Sequence, residues 1–249
     1  MNADNRFPEA LMPQIPEPRT VHVWTCSSDS EIIRDCTFDA ILTPTEKEMA
    51  GRFRRDAESG SYKMGRALSR IVAASYLRID PLQIKFERSP CGKPSITVPS
   101  DTNLHFNLSR SGDMAIVAVM YEMEIGIDLE KVRAIPDWET IARYYLTNGE
   151  RSFVERCEPW ERDRAFLTCW VRKEAYVKAI GTGVTVSLDR IDTLRSDGAD
   201  GEADGNRECY AICDLDLGPL YTCAVAALGP IDEIICLDVA GELVAGTCG

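Results

Sequence analysis

Apolar residues at Met64, Ala67, Leu68, Ile71 and Val72 keep the three-and-four spacing of one helix face, and the polar side carries Lys63, Arg66 and Arg70. Upstream, Thr43-Pro44-Thr45-Glu46 combines an N-cap, a proline at the first helical position and a glutamate completing a capping box. The pattern predicts a helix from there to about Glu58, a break at Ser59-Gly60-Ser61, and then the second helix, whose stripe ends at Ser75. Short strands are expected at Val21–Thr25, Ile84–Phe86, Ser95–Val98 and Leu104–Asn107. Met114 to Tyr121 reads as a buried strand. Glu122-Met123-Glu124 turns the chain, and Ile125 to Val132 is expected to return beside it as a hairpin partner. Trp138–Leu146, Gly149–Arg156 and Trp160–Ile180 are predicted helices, the last stopped by Gly181-Thr182-Gly183. Four strands, near Asp189–Leu194, Glu208–Asp214, Tyr221–Ala227 and Ile234–Val239, close the sequence. Ser196 to Asn206, rich in Asp and Gly, is expected to be an acidic loop without a full calcium-loop pattern.

Composition narrows the class. A chain of 249 residues with 45% hydrophobic and 27% charged content buries a full core, as one large domain or two packed halves. Its longest apolar run, Met114 to Tyr121, is too short to span a bilayer, and the proline-bearing start of the chain has no apolar core of a signal peptide. The ten cysteines contain no Cys-x-x-Cys, and His22 and His105 lack spaced partners, so reduced cytoplasmic thiols are expected, not disulfides or zinc. A net charge of −12 disfavours nucleic acid as a partner. The charge is uneven: Glu46 to Arg70 is net +3, whereas Asp189 to the end is net −10, so an anionic ligand meets the N-terminal half more readily.

The chemistry concentrates in two segments. In Gly126-Ile127-Asp128-Leu129-Glu130 the acids alternate with apolar residues, so a strand places both carboxylates on one side. In Trp170-Val171-Arg172-Lys173-Glu174-Ala175-Tyr176-Val177-Lys178 a helix carries Glu174 and Lys178 one turn apart. Eleven of the sixteen residues from Ala165 to Ile180 are apolar, so this helix is mostly buried and its charges need partners. Three carboxylates on two elements make a hard oxygen site suited to Mg²⁺, which leaves coordination positions for phosphate and water. Simpler readings stay open: a solvated strand face for Asp128 and Glu130, and a structural Glu174–Lys178 ion pair.

Gly-Ile-Asp-Leu-Glu followed about forty residues later by Trp-x-x-Lys-Glu-Ala-x-x-Lys resembles the 4′-phosphopantetheinyl transferases, from about Thr43 to Val186. The length resembles the larger, surfactin-synthetase-activating type. This resemblance implies an α+β fold of two pseudo-symmetric halves, each a small antiparallel sheet packed by helices, with the ligand in the cleft between them. Its divisions are a loose leader at 1–20, an N-terminal half at 21–122 with the coenzyme contacts, and a C-terminal half at 123–249 with the metal site and catalytic helix. It further implies transfer of phosphopantetheine from coenzyme A to a serine hydroxyl of an apo acyl or peptidyl carrier protein, releasing 3′,5′-adenosine bisphosphate. Asp128, Glu130 and Glu174 would hold Mg²⁺, or Mn²⁺ in its place. Lys178 would steady the phosphates and the leaving group, and Glu174 would take the serine proton. Coenzyme contacts fall, by the same resemblance, to Arg52, Arg88, Gly92, Lys93, Asn107, Ser109, Arg110 and Lys178.

Two positions depart from the family's pattern. Arg110 stands where histidine is usual in the Asn-x-Ser-His-Ser segment; it can clasp a phosphate but cannot serve as a base near neutral pH. Met49 stands where relatives often place a basic residue, and Lys47, Arg52 or Arg55 are its candidate replacements. The helices after Ala134, with Arg143, Tyr144, Tyr145, Arg151 and Phe153, are either a carrier-docking face or an ordinary amphipathic surface. A cytoplasmic monomer is expected, since one chain contains both halves. The alternatives are a non-catalytic coenzyme A or carrier-binding homologue and a Mg²⁺-dependent phosphohydrolase.

Overall fold

The computed structural model describes residues 13–28, 40–100, 102–181, 187–194, 202–203, 206–207 and 210–239. Most of the expected leader, Thr182 and Gly183 of the helix stop, Cys209, and most of the acidic loop lie outside these residues.

After β1 (Thr20–Ser27) the capping box predicted at Thr43 and Glu46 is formed and opens α1 (Pro44–Gly51). The expected interruption at 59–61 is not there: α2 runs unbroken from Asp56 to Leu77. A glycine costs a helix only about 1 kcal/mol, which the apolar stripe of a 22-residue helix outweighs. The break falls instead at Arg52–Arg55, where Arg55 is extended. A 3₁₀ turn at Pro81–Gln83 leads to a minor hairpin, β2 (Lys85–Arg88) and β3 (Pro94–Val98). The next strand, β4 (Leu104–Ser111), is twice the expected length, and β5 (Met114–Tyr121) pairs with it throughout.

A second correction concerns the acidic strand β6 (Ile125–Lys131), which does not pair with β5. Glu122, at φ 63°, redirects the chain, and β6 joins a different sheet beside β10 (Tyr221–Ala227). Helices α3 (Trp138–Tyr145), α4 (Asn148–Arg156) and α5 (Arg162–Ile180) follow, the last capped by Gly181 in the left-handed region as predicted. The strand expected near Asp189–Leu194 is a 3₁₀ turn at Leu188–Arg190, because its carbonyls are used by a buried lysine rather than by a sheet. The remaining strands are β7 (Glu202–Ala203), β8 (Asn206–Arg207), β9 (Ala211–Asp214), β10 and β11 (Glu233–Asp238).

Beside the two-stranded hairpins β2-β3 and β7-β8, two larger sheets result among the described residues, in the orders β11-β1-β5-β4 and β6-β10-β9. The second is antiparallel as expected, whereas the first is mixed, since β11 lies parallel to β1. Alternation sorts the side chains into layers. Val21, Val23, Ile116 and Ala118 face Ile125, Ile127, Leu129, Cys223 and Val225 between the sheets. Trp24, Val117 and Val119 face Met64, Leu68 and Val72 of α2 on the outside of the first sheet. Ala224 and Ala226 face Val171, Ala175 and Tyr176 of α5 on the outside of the second. The architecture is therefore helix, sheet, sheet, helix, an α+β fold.

Both halves use the same construction. Strand, short helix, long helix, 3₁₀ turn, two-stranded hairpin and two sheet strands follow in β1 to β5, and again, with α3 added, in β6 to β10. Each long helix carries one buried cation paired with the capping-box glutamate of the preceding short helix. Arg70 meets Glu46 and donates to the carbonyls of Pro81 and Ile84; Lys173 meets Glu150 at 2.8 Å and donates to those of Leu188 and Ile191. Lys173 and Glu150 are fully buried, which requires the complete set of partners they have. Among the described residues no helix is long and apolar enough to cross a membrane.

Candidate active site

Where β4 leaves one sheet and β6 opens the other, the two strands lie edge to edge, and a cleft of about 500 Å³ opens over them. Its walls come from α2 (Tyr62, Arg66), the β2–β3 hairpin (Arg88, Gly92, Lys93), β4 (Asn107, Ser109, Arg110), β6 (Asp128) and α5 (Glu174, Lys178). Residues 62 to 178 of the sequence converge here because α5 packs directly on β6. Gly126 makes that approach close: a Cβ there would sit 2.0 Å from the Ala175 carbonyl oxygen and 2.4 Å from the Ala179 nitrogen.

Asp128 is buried, and its Oδ1 accepts hydrogen bonds from Lys178 Nζ at 2.6 Å and Ser109 Oγ at 2.8 Å. Lys178 also donates to the Ile127 carbonyl at 3.0 Å, so its partner is the strand rather than Glu174 one turn away. Burial pushes the Asp128 carboxyl up, against the opposing pull of Lys178. Glu174 is pushed up as well, first by burial and then by the Asp128 charge. Glu130 faces the solvent end of the seam, accepting from Ser111 Oγ at 2.9 Å and from Arg133 at 2.8 Å, and does not line the cleft.

The opposite wall is cationic. Arg110 lies against Tyr62, its guanidinium carbon 5.7 Å from the ring centre, and packs so tightly on α2 that a Cβ at Gly65 would reach its Cδ at 2.3 Å. Burial lowers its proton affinity, and the charges of Arg66 and Arg88 lower it further. Like charges gathered this way are stabilised by an anion. Lys93 instead ties the hairpin across the cleft, donating to Glu124 at 2.5 Å and to the Ala179 carbonyl at 2.9 Å. His105 stands on the far side of Glu124, which a hydrogen bond from His105 and the Lys93 ammonium hold at about 2.

Nine of the expected residues thus meet in one cleft: Arg88, Gly92, Lys93, Asn107, Ser109, Arg110, Asp128, Glu174 and Lys178. Arg52 is not among them; it is exposed at the C-terminal cap of α1 and paired with Glu48. Tyr62 and Arg66 line the cleft without having been singled out as ligands. The basic face of α2 was readable, but which of its residues reach β4 depends on where that helix begins.

The donor set suits a hard divalent cation, since buried Asp128 and half-buried Glu174 gather negative charge that water does not screen. Asp128, Glu130 and Glu174 are not converged as ligands, however: among the described residues no group of three or more His, Cys, Asp or Glu side chains is arranged to hold a metal ion. The Lys178 ammonium occupies the Asp128 oxygen instead.

Comparison with known proteins agrees with this geometry. Residues 124–225 match the model of the 4′-phosphopantetheinyl transferase superfamily, and residues 29–122 match that of the 4′-phosphopantetheinyl transferase N-terminal region. The chain is 32% identical over 173 residues to the 4′-phosphopantetheinyl transferase HetI of Nostoc sp., covering 69% of this chain and 73% of that one. It is 31% identical over 196 residues to the 4′-phosphopantetheinyl transferase of Bacillus subtilis, covering 77% and 84%. It is also 32% identical over 163 residues to the human L-aminoadipate-semialdehyde dehydrogenase-phosphopantetheinyl transferase, covering 61% and 52%.

Proposed function

This chain belongs to the 4′-phosphopantetheinyl transferases, and we propose that it moves the phosphopantetheine group of coenzyme A onto a serine hydroxyl of an apo acyl or peptidyl carrier protein. It is read as the larger, surfactin-synthetase-activating type, working as a cytoplasmic monomer. The observation that carries the reading is the polarity of one cleft, with carboxylates and an ammonium on the strand–helix wall and arginines on the other.

The anionic end of coenzyme A lies against Arg66, Arg88 and Arg110, whose mutual repulsion a phosphate relieves. Lys178, on the rigid α5 and anchored to the Ile127 carbonyl, stands at the reacting pyrophosphate and stabilises charge on the departing 3′,5′-adenosine bisphosphate. Glu174 is half-buried with raised proton affinity, which suits it to accept the proton of the carrier serine as the hydroxyl attacks the β-phosphorus. Arg110 binds and does not take protons. Asp128 and Glu174, which line the cleft, would hold Mg²⁺, while Glu130 stays paired with Ser111 and Arg133 outside it. A bound cation supplies charge neutralisation and alignment at the pyrophosphate. The carrier docks on α3 and α4, where Arg143 and Arg151 share a hollow with Glu139 and Glu155 and Tyr144 is exposed. The arginines and the exposed aromatic ring of this face give an acidic partner local contacts despite the overall charge of −12.

Asp128→Ala and Glu174→Ala are each expected to keep the fold and lower turnover at least ~100-fold, the scale of losing a charge-stabilising group. Near-parental turnover of either variant with Mg²⁺ present contradicts the assignment. Unchanged coenzyme A affinity with no transfer by the parent on any carrier would instead favour a coenzyme-binding homologue.

A further inference from the structure

The β2–β3 hairpin forms a two-stranded sheet of its own, yet it carries Arg88 and Gly92 on the wall of the cleft. Side chains, and not a larger ladder, therefore set its position. At its base Phe86 and Ile96 pack on the core around Phe106, with the Phe86 and Phe106 ring centres 5.2 Å apart. Its tip is a closed turn. Ser89 N–H donates to the Lys93 carbonyl at 2.9 Å, Gly92 N–H to the Ser89 carbonyl at 2.8 Å, and Lys93 N–H to Ser89 Oγ at 3.1 Å. A turn bonded in this way moves as one piece, so a single anchor orients it.

Lys93 supplies the anchor. Its ammonium donates to Glu124 Oε2 at 2.5 Å and to the Ala179 carbonyl at 2.9 Å, one of the last carbonyls of α5, which lack helical partners. A cation there also suits the negative end of the helix dipole. Glu124 is a firm post, because the link between β5 and β6 is tied by its backbone on both sides. Glu122 N–H donates to the Asn103 carbonyl at 2.8 Å, and Leu228 N–H to the Glu124 carbonyl at 3.1 Å. His105 Nδ1, on β4, lies 3.2 Å from the other carboxylate oxygen. Lys93 lines both the cleft and a second hollow of about 310 Å³ beside it, which Glu124 and His105 line too. An ammonium neutralised by a carboxylate on that side offers little charge to a phosphate in the cleft.

We infer that Glu124 is a positioning residue for coenzyme A binding, acting through Lys93. The pair straps the hairpin to the β5–β6 link and to α5, and so sets Arg88 and Gly92 on the wall; the Lys93 ammonium serves the strap and not the coenzyme. This inference rests on the reading of the arginine wall as the seat of the coenzyme's anionic end.

The test uses the full chain with Glu124→Ala, Lys93→Met, the double variant and Lys93→Arg, and Arg88→Ala as a control. Coenzyme A affinity is measured by calorimetry with chelator present, and backbone order parameters at Arg88 and Gly92 are read from NMR relaxation. Glu124→Ala and Lys93→Met are each expected to weaken coenzyme A about 5-fold, the upper end for one partly exposed charge pair. Both should take the tip from the rigid range, near about 0.85, toward the flexible range below about 0.6. The double variant should lose no more than either single one, since both break the same strap, and Lys93→Arg should restore both properties. If Lys93 instead contacts the coenzyme, Glu124→Ala frees it, and coenzyme A binds at least as tightly as to the parent while Lys93→Met weakens it. That pattern overturns the inference, as do additive losses in the double variant with a rigid tip. If Arg88→Ala weakens coenzyme A while the strap variants keep both parental values, the strap fails alone. If Arg88→Ala binds coenzyme A as the parent does, the arginine wall fails and takes the inference with it.

Discussion

Gly126 shows how one residue decides whether the site exists. The first position of Gly-Ile-Asp-Leu-Glu is a glycine because the backbone of α5 lies where a side chain would be. Gly126→Ala must push α5 off β6, and both Asp128 and Lys178 move with it. Overpacking of this kind costs about 1–3 kcal/mol, and the clash is with backbone, so the upper end or beyond is expected as a lowered thermal midpoint. A midpoint equal to the parent's would show that α5 has slack. His22 works through protonation. Burial holds it at about 4, against 6.5 when unfolded, and its Nδ1 lies 2.6 Å from the Tyr76 hydroxyl, which already accepts from Trp24. The folded value is depressed, so its contribution is complete above pH 6.5 and is lost as pH falls toward 4, about 3 kcal/mol in all. Melts between pH 7.5 and 4 should show that slope, and His22→Gln should flatten it.

At the scale of elements, the two buried ion pairs make the connections between helices specific. Glu150 joins α4 to α5 and, through the Thr193 backbone amide and hydroxyl, to the segment after the 3₁₀ turn. Glu150→Ala leaves Lys173 buried without its counter-charge and should cost about 3–5 kcal/mol, whereas Glu150→Leu with Lys173→Met should recover most of it. Equal loss in the single and double variants would mean that the hydrogen bonds of Glu150 to Thr193, and not the charge left on Lys173, are what the structure loses. These pairs were only partly legible. The capping box at Thr43 is a local pattern read in the sequence, the equivalent one at Thr147 and Glu150 appears only with the fold, and the unmet charge on an apolar helix announced that Lys173 had a partner. Which partner it was depended on a fold that brings residue 150 against residue 173. The same limit explains the misplaced helix break and the expected β5–β6 hairpin. Local turn residues mark where a chain bends, but a long apolar stripe overrides a glycine, and a three-residue link can serve a pair of strands or a change of sheet equally well.

For the whole molecule, the site lies where the two sheets meet. Two similar β-helix-β halves meet along β4 and β6; the first brings arginines and a serine seam, and the second brings carboxylates and a lysine. The motifs of the second half carry much of the chemistry in contiguous sequence, and so Asp128, Glu174 and Lys178 could be read directly. The arginine wall is assembled from α2, the β2–β3 hairpin and β4, each contributing one or two residues, so Arg66 emerged only with the fold while Arg52 proved to lie elsewhere. The central claim is the group transfer itself. The most direct measurement is the intact mass of an apo carrier protein after incubation with this protein, coenzyme A and Mg²⁺. The account predicts a gain of one phosphopantetheine group, at one serine, abolished by chelator and by Glu174→Ala. No gain on acyl or peptidyl carriers would contradict it.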